Sequence, residues 1–139
     1  MESISWDEFA KVELRVGRII DARVFAEARK PAYVLQVDFG ETIGVRKSSA
    51  QVTKLYSPEE LIGKLVVGVV NFPKKQIGPL MSECLVTGFY DAHGDVALCV
   101  PDKAGAPGRQ VGLSKLTLPV QSHDQYGANN SKLRRNPLN

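Results

Sequence analysis

The amino-acid sequence predicts an all-β fold with short helices, in which five strands form a small barrel. Two observations predict it. The patterned segments follow the order of three strands, a short helix and two further strands. The first strand is long and contains Gly17, where a residue without Cβ lets a strand turn a barrel corner. A chain of 139 residues, 43% of them hydrophobic and 24% charged, fits one folded domain.

The N-terminal part predicts a helical turn followed by the first strand. Ser5 and Glu8 have the spacing of a capping box, which predicts a short helix that begins after Ser5. Residues 12–16 alternate between apolar and charged side chains, and apolar residues recur as far as Val24. This alternation is typical of a strand with one buried face.

The central part predicts a hairpin and then a helix. Val34–Phe39 and Thr42–Lys47 are rich in residues that favour strands and are joined across Gly40, which predicts strands 2 and 3. Ser57 begins a second capping box, with Pro58 at the first helical position. A short helix is therefore expected between strands 3 and 4.

The remaining strands complete the pattern of a known fold. Leu65–Phe72 predicts the fourth strand, while Cys84–Tyr90 and Val96–Val100 form a hairpin around a turn-rich loop. This is the element order of the OB-fold, a five-stranded barrel that binds oligonucleotides through strands 2 and 3 and through the loops joining strands 1 to 2 and 4 to 5. We expect an OB-fold domain over residues 1–112 and a C-terminal extension over residues 113–139, flexible after about residue 121.

Composition argues against several classes of protein. The longest apolar run, Leu65–Val70, is far shorter than the roughly 20 residues of a membrane-spanning helix. The N-terminus is acidic and no apolar stretch follows, so we expect no secretory signal and a cytoplasmic location. Cys84 and Cys99 lie among apolar residues without metal-ligand spacing, which predicts buried free thiols. We expect no metal, cofactor or enzymatic activity, because Ser48, Ser49 and Ser82 have no histidine predicted nearby and phosphate-binding glycine motifs are absent from the sequence.

Positive charge is clustered locally although residues 1–120 are almost neutral. Basic doublets fall on the parts of an OB-fold that contact oligonucleotides. The first predicted loop, residues 26–32, contains Arg29-Lys30; the third strand contains Arg46-Lys47; and the second loop, residues 73–82, contains Lys74-Lys75. We predict that these six side chains share one surface.

The same segments carry a family resemblance. Residues 12–19, 57–64 and 70–75 resemble the tRNA-binding domain family, and residues 27–33, 47–51 and 76–79 resemble its CsaA-type branch of bacterial secretion-related chaperones. The resemblance covers roughly residues 7–112. It implies a homodimer of OB-fold barrels that binds tRNA or another structured RNA. For the CsaA-type branch it also implies that unfolded or presecretory polypeptides are held.

The predicted RNA contacts lie in the two loops and the strands beside them. Cationic side chains would contact phosphates or form a solvated loop. Asn71, at the end of an apolar strand, would present a donor and an acceptor to a base edge or hold the loop backbone. Met81 would pack on a base or belong to the core. Ser82 and Glu83 match a family position that would bond a ribose or base edge. The full set is Arg29, Lys30, Arg46, Lys47, Ser48, Asn71, Lys74, Lys75, Met81, Ser82 and Glu83.

A polypeptide-binding role requires exposed apolar side chains beside charged ones. Apolar residues in and near the second loop have no obvious core to enter, and the candidates are Tyr56, Phe72, Ile77, Pro79, Leu80 and Met81. A dimer interface would bury the same residues. The sequence therefore leaves three functions open: an export-related chaperone with RNA-binding capacity, a stand-alone tRNA-binding factor without a chaperone role, and an interaction module that uses its basic tail.

Overall fold

A computed structural model describes residues 1–103 and 105–111 of the chain. Strands dominate this part, and the helices are short. The elements in chain order are α1 (Trp6–Ala10), β1 (Leu14–Val24), β2 (Tyr33–Asp38), α2 (Gly40–Ile43), β3 (Val45–Ala50), α3 (Pro58–Leu61), β4 (Leu65–Val69), β5 (Lys75–Ile77), β6 (Leu80–Ser82), β7 (Leu85–Val86), β8 (Gly88–Tyr90) and β9 (Val96–Leu98).

Five antiparallel strands form the barrel, in the spatial order β3-β2-β1-β4-β7. The two ends of this sheet approach each other where the Glu83 N–H, just before β7, donates to the Lys47 carbonyl of β3 at 2.8 Å. The barrel is therefore nearly closed. Helix α3 lies between β3 and β4 in the chain, as the sequence predicts, and the expected OB-fold barrel with short helices is confirmed.

The first strand pairs with two neighbours along its length. Its N-terminal part pairs with β4 from Leu14 to Arg18, and its C-terminal part pairs with β2 from Arg18 to Val24. The register of β1 with β2 shifts between Ile19 and Asp21. Gly17, where the sequence predicts the bend, lies next to Arg18, at which β1 changes partner from β4 to β2. Gly17 also permits close packing, because a Cβ there would lie 2.5 Å from Val37 Cγ1 and 2.7 Å from Phe39 Cε1.

Two separate apolar clusters form inside and outside the barrel. The main core lies inside and includes the fully buried Ile19, Leu35, Val37 and Phe39. A second cluster consists of Phe25, Ala32, Val34 and Leu80, with Ala28 and Ile77 partly buried at its rim. Val34 lies between Leu35 and Tyr33 on β2, so its side chain projects from the opposite, outer face of the sheet. We call this group the outer cluster.

The predicted helices are confirmed, and some strand boundaries are wrong. Both capping boxes form, at Ser5 with Glu8 and at Ser57 with Glu60. Residues 42 and 43, assigned to strand 3 from the sequence, belong to α2 instead, because positive φ angles at Gly40 and Gly44 turn the chain on both sides of them.

The second loop is also more ordered than the sequence indicates. Residues 73–82 contain the hairpin β5–β6, which turns at Gly78, where φ is +56°. The fourth strand ends at Val69 rather than Phe72, and the predicted strand over residues 84–90 is divided into β7 and β8. The division occurs at Thr87, whose N–H and hydroxyl both donate to the Val67 carbonyl.

The C-terminal part of the described chain returns to the barrel. The Val111 N–H donates to the Leu14 carbonyl at 2.9 Å, and the Gly108 N–H donates to the Val16 carbonyl at 2.7 Å. The extension predicted over residues 113–139, and its expected flexibility, lie outside the described residues. Within residues 1–103 and 105–111, no helix has the length and apolar character needed to cross a membrane.

We predict that Gly17→Ala destabilises the barrel by about 1–3 kcal/mol, the usual effect of overpacking a filled core. The added methyl would meet Val37 and Phe39, which are fully buried and have little room to move. Urea unfolding would measure the change. Gly105→Ala is the matched control, since a Cβ at Gly105 meets nothing within 4 Å. Equal unfolding free energies for the two variants would contradict the packing role of Gly17.

Candidate nucleic-acid interface

Strand β3 divides its basic doublet between the two faces of the sheet. Lys47 pairs with Gln36 on the outer face, whereas Arg46 pairs with Val37, whose side chain is in the core. The Arg46 guanidinium is half-buried and its Nη1 donates to the Val70 carbonyl at 2.7 Å. The prediction of one surface for all six basic side chains is therefore wrong for Arg46, because adjacent residues of a strand point to opposite faces.

The same alternation places the two neighbouring serines on opposite faces of the sheet. Ser48 pairs with Leu35 and is 2% exposed, so it faces the barrel interior although it was a predicted RNA contact. Ser49 pairs with Val34 and lies on the outer face. Ser48 and Ser49 are adjacent on β3, so the hydroxyl of Ser48 is buried whereas that of Ser49 is on the outer face.

The outer cluster brings the two basic loops together. Leu80 of the hairpin packs with Phe25, which precedes the first loop, and with Ala32, its last residue. Ala28 and Ile77 lie at the rim of the cluster, next to or near the doublets Arg29-Lys30 and Lys74-Lys75. All four of these basic side chains are exposed. The structure thus places the doublets of two loops distant in sequence on adjacent segments.

Lys47 and Glu83 join the hairpin to β3 by a reciprocal pair of hydrogen bonds. The Glu83 N–H donates to the Lys47 carbonyl at 2.8 Å, and the Lys47 N–H donates to Glu83 Oε1 at 2.9 Å. Glu83 Oε2 is 3.8 Å from Lys74 Nζ. The Lys47 backbone and the Lys74 ammonium group therefore both contact Glu83. We define the basic face as Arg29, Lys30, Lys47, Lys74 and Lys75.

Two other predicted contacts already have structural partners. Asn71 Oδ1 accepts from the Glu13 N–H at 2.9 Å, and its Nδ2 donates to the Lys11 carbonyl at 2.7 Å. Asn71 therefore holds the backbone of the segment before β1, not that of the basic loop next to it, as the sequence had suggested. The Ser82 hydroxyl donates to the Cys84 carbonyl at 3.3 Å.

The predicted polypeptide contacts are divided between buried and exposed positions. Leu80 is 7% exposed, so the expectation that it stays in solvent is wrong; the outer cluster is the core that it enters. Tyr56 is half-buried, and its hydroxyl accepts from the Leu98 N–H at 3.0 Å. Phe72 and Met81 are 55% and 40% exposed, which excludes Met81 from the core, and Pro79 is also exposed.

Sequence reasoning missed polar residues on the outer face of β1–β3. Gln36 pairs with Asp21 and Lys47, and Arg23 pairs with Val34. Both Gln36 and Arg23 therefore lie on the outer face with Lys47 and Ser49. A signal was present for Gln36, which interrupts the apolar run Leu35–Val37 at the position where alternation requires an outward side chain.

The two cysteines differ in environment. Burial raises the pKa of the Cys84 thiol to about 11, against opposing effects of a hydrogen bond with Ser48 and the positive charge of Arg46. The prediction of a buried free thiol is confirmed for Cys84. Cys99 is also a free thiol but is only partly buried, which corrects the prediction for that residue.

The chain matches the sequence model of one family, described as "Putative tRNA binding domain", over residues 14–110. Curated relatives include the methionine–tRNA ligase of Thermococcus kodakarensis, 41% identical over 103 residues, which are 74% of this chain and 13% of the ligase. The methionine–tRNA ligase of Porphyromonas gingivalis is 31% identical over 110 residues, which are 79% of this chain and 16% of the ligase. The chain therefore spans a small part of these relatives.

Two solved structures match over their whole length. The CsaA chaperone protein from Picrophilus torridus is 45% identical with a TM-score of 0.75, and the match covers 79% of this chain and 100% of that one. The chaperone CsaA from Bacillus anthracis is 42% identical with a TM-score of 0.75, and the match covers 80% of this chain and 100% of that one.

We predict that Cys84 reacts slowly with thiol reagents in the folded protein. With a pKa of about 11 rather than 9.0, its thiolate fraction at mildly alkaline pH falls by roughly 100-fold, and only the thiolate attacks. Colorimetric titration of a Cys99→Ser variant, in which Cys84 is the remaining thiol, would measure the rate. Rapid labelling before unfolding would contradict the buried position.

The same pKa predicts a loss of stability at alkaline pH. Because the folded state raises the pKa above its ordinary 9.0, the thiol's contribution is complete below pH 9 and is lost as the pH rises towards about 11. The unfolding free energy of Cys99→Ser should therefore fall more steeply over this range than that of the Cys84→Ala, Cys99→Ser double variant. Parallel curves would show that Cys84 does not titrate in this way.

Proposed function

This chain belongs to the tRNA-binding domain family, and from that membership we propose that it binds tRNA or another structured RNA through the basic face. The observation that carries the proposal is the outer cluster, which holds both basic loops against the same side of the barrel. Lys47 adds a cation from β3, which is part of the surface that OB-folds use for oligonucleotides. Binding without catalysis is the proposed activity.

The chemistry of the basic face favours contacts with the RNA backbone. Exposed lysines and arginines neutralise phosphates and release counterions, and this makes affinity dependent on salt. Stacking rings are scarce beside these cations in the described residues: Phe25 is 4% exposed within the outer cluster, whereas Phe72 is exposed. Single-strand binders use several stacking rings, so recognition of a folded RNA by its shape suits this face better.

A second candidate function is the holding of unfolded polypeptides. Exposed Phe72, Pro79 and Met81 lie in or next to the hairpin segment that carries Lys74 and Lys75, which provides apolar side chains beside charge. The similarity to proteins named CsaA chaperones supports this proposal. We further propose that the protein acts as a homodimer in the cytoplasm, in an export-related role; the alternative is a tRNA-binding factor with no physiological chaperone role.

We predict that Lys74→Glu with Lys75→Glu abolishes retardation of tRNA in a gel. Two phosphate contacts become two repulsions, and affinity should fall at least tenfold at moderate salt. Lys54→Glu with Lys103→Glu is the matched control, because it makes the same change in net charge with two exposed lysines outside the basic loops. RNA binding that is unaltered in the first variant, or equally reduced in the control, would contradict the proposed face.

We predict that Phe72→Ser with Met81→Ser reduces suppression of the aggregation of an unfolded test protein, measured by light scattering. The change removes exposed apolar area without opening the core. Phe89→Ser with Val100→Ser removes comparable exposed side chains elsewhere, since Phe89 is 65% and Val100 51% exposed. Full suppression of aggregation by the Phe72→Ser, Met81→Ser variant would contradict the proposal that this segment binds unfolded polypeptides.

A further inference from the structure

Glu83 places a negative charge next to Lys74, one of the cations of the basic face. Its Oε2 lies 3.8 Å from Lys74 Nζ, while its Oε1 is fixed by the Lys47 N–H at 2.9 Å. The Glu83 side chain is 24% exposed and the Lys74 side chain 67% exposed. The carboxylate is therefore held by the backbone, whereas the Lys74 side chain lies mostly in solvent.

We propose that Glu83 is an internal competitor of RNA phosphate, which occupies Lys74 in the free protein and so sets the affinity and salt dependence of RNA binding. This inference rests on the proposed RNA-binding function. It differs from the contact role that the sequence suggested for Glu83, because a carboxylate repels a phosphate. When RNA binds, Lys74 leaves Glu83 and pairs with the phosphate, and Glu83 remains bonded to Lys47.

The geometry separates the two roles of this side chain. Its structural role needs only an acceptor oxygen for the Lys47 N–H, and a glutamine amide supplies one. Its electrostatic role needs the negative charge. Glu83→Gln therefore removes the competitor and keeps the link between β3 and the hairpin, whereas Glu83→Ala removes both.

The size of the effect follows from an exposed ion pair. Such pairs contribute up to about 1 kcal/mol, so we expect Glu83→Gln to bind tRNA roughly three- to fivefold more tightly at low salt. In the wild type, the Glu83 carboxylate takes up a cation from solution when Lys74 leaves it, and this offsets part of the counterion release. Without that carboxylate, the plot of log affinity against log salt should steepen by up to about 0.9. A purely structural residue would not tighten binding or alter that slope.

The test is fluorescence anisotropy of a labelled tRNA with the full chain over a series of KCl concentrations. We expect tighter and more salt-dependent binding for Glu83→Gln, and wild-type binding for Glu59→Gln, which removes an equal charge from an exposed position on α3. Glu83→Ala should unfold at a lower denaturant concentration than Glu83→Gln.

Two outcomes would overturn the inference while leaving RNA binding intact. The first is wild-type or weaker affinity in a Glu83→Gln variant that is as stable as the wild type. The second is an equal gain in Glu59→Gln, which would assign the effect to net charge. Absence of any wild-type binding at the lowest salt would instead overturn the proposed function, and this inference with it.

Discussion

Phe25, Ala32, Val34 and Leu80 pack together on the outer side of the barrel, and the position of both basic loops depends on this contact. Fully burying one large apolar side chain contributes about 1.5–3 kcal/mol, so even a small cluster can hold a three-residue strand such as β6 in place. Without it, the hairpin would be tied to β3 mainly through the hydrogen bonds of Glu83 with Lys47. The main core stabilises the barrel, and the outer cluster holds the two basic loops against its outer side.

The basic face carries positive charge only locally, since the net charge of the whole chain is only +3. Its cations are brought together by packing, and one of them stands against the carboxylate of Glu83. A face of this kind holds RNA through a few local phosphate contacts rather than through a long-range field. A single carboxylate such as Glu83 then affects RNA affinity, because it offsets one of the five positive charges of the basic face.

Much of the fold follows from local patterns. The two capping boxes, the alternation of β1 and the hairpin of β2 and β3 depend on residues close in sequence, and all are present in the structure. The predictions fail where the environment of a side chain depends on residues distant in sequence. Within its own hairpin, Leu80 shares the outer cluster only with Ile77, its paired residue on β5. Its burial therefore depends on Phe25 and Val34 from another part of the chain. Asn71 likewise bonds to residues 11 and 13.

By itself the sequence determined the type and order of the elements and the segments that carry positive charge, because hydrophobic period, capping and turn residues act over a few positions. The tertiary structure alone decided which of those charges share a surface. Arg46 and Lys47 are adjacent in sequence, yet strand alternation directs Arg46 to the Val70 carbonyl and Lys47 to the outer face. Lys47 and Lys74 are far apart in sequence, yet barrel closure brings the Lys47 backbone and the Lys74 ammonium group to the same Glu83 carboxylate. Composition cannot encode either outcome, since both depend on which backbone segments pair and pack in three dimensions.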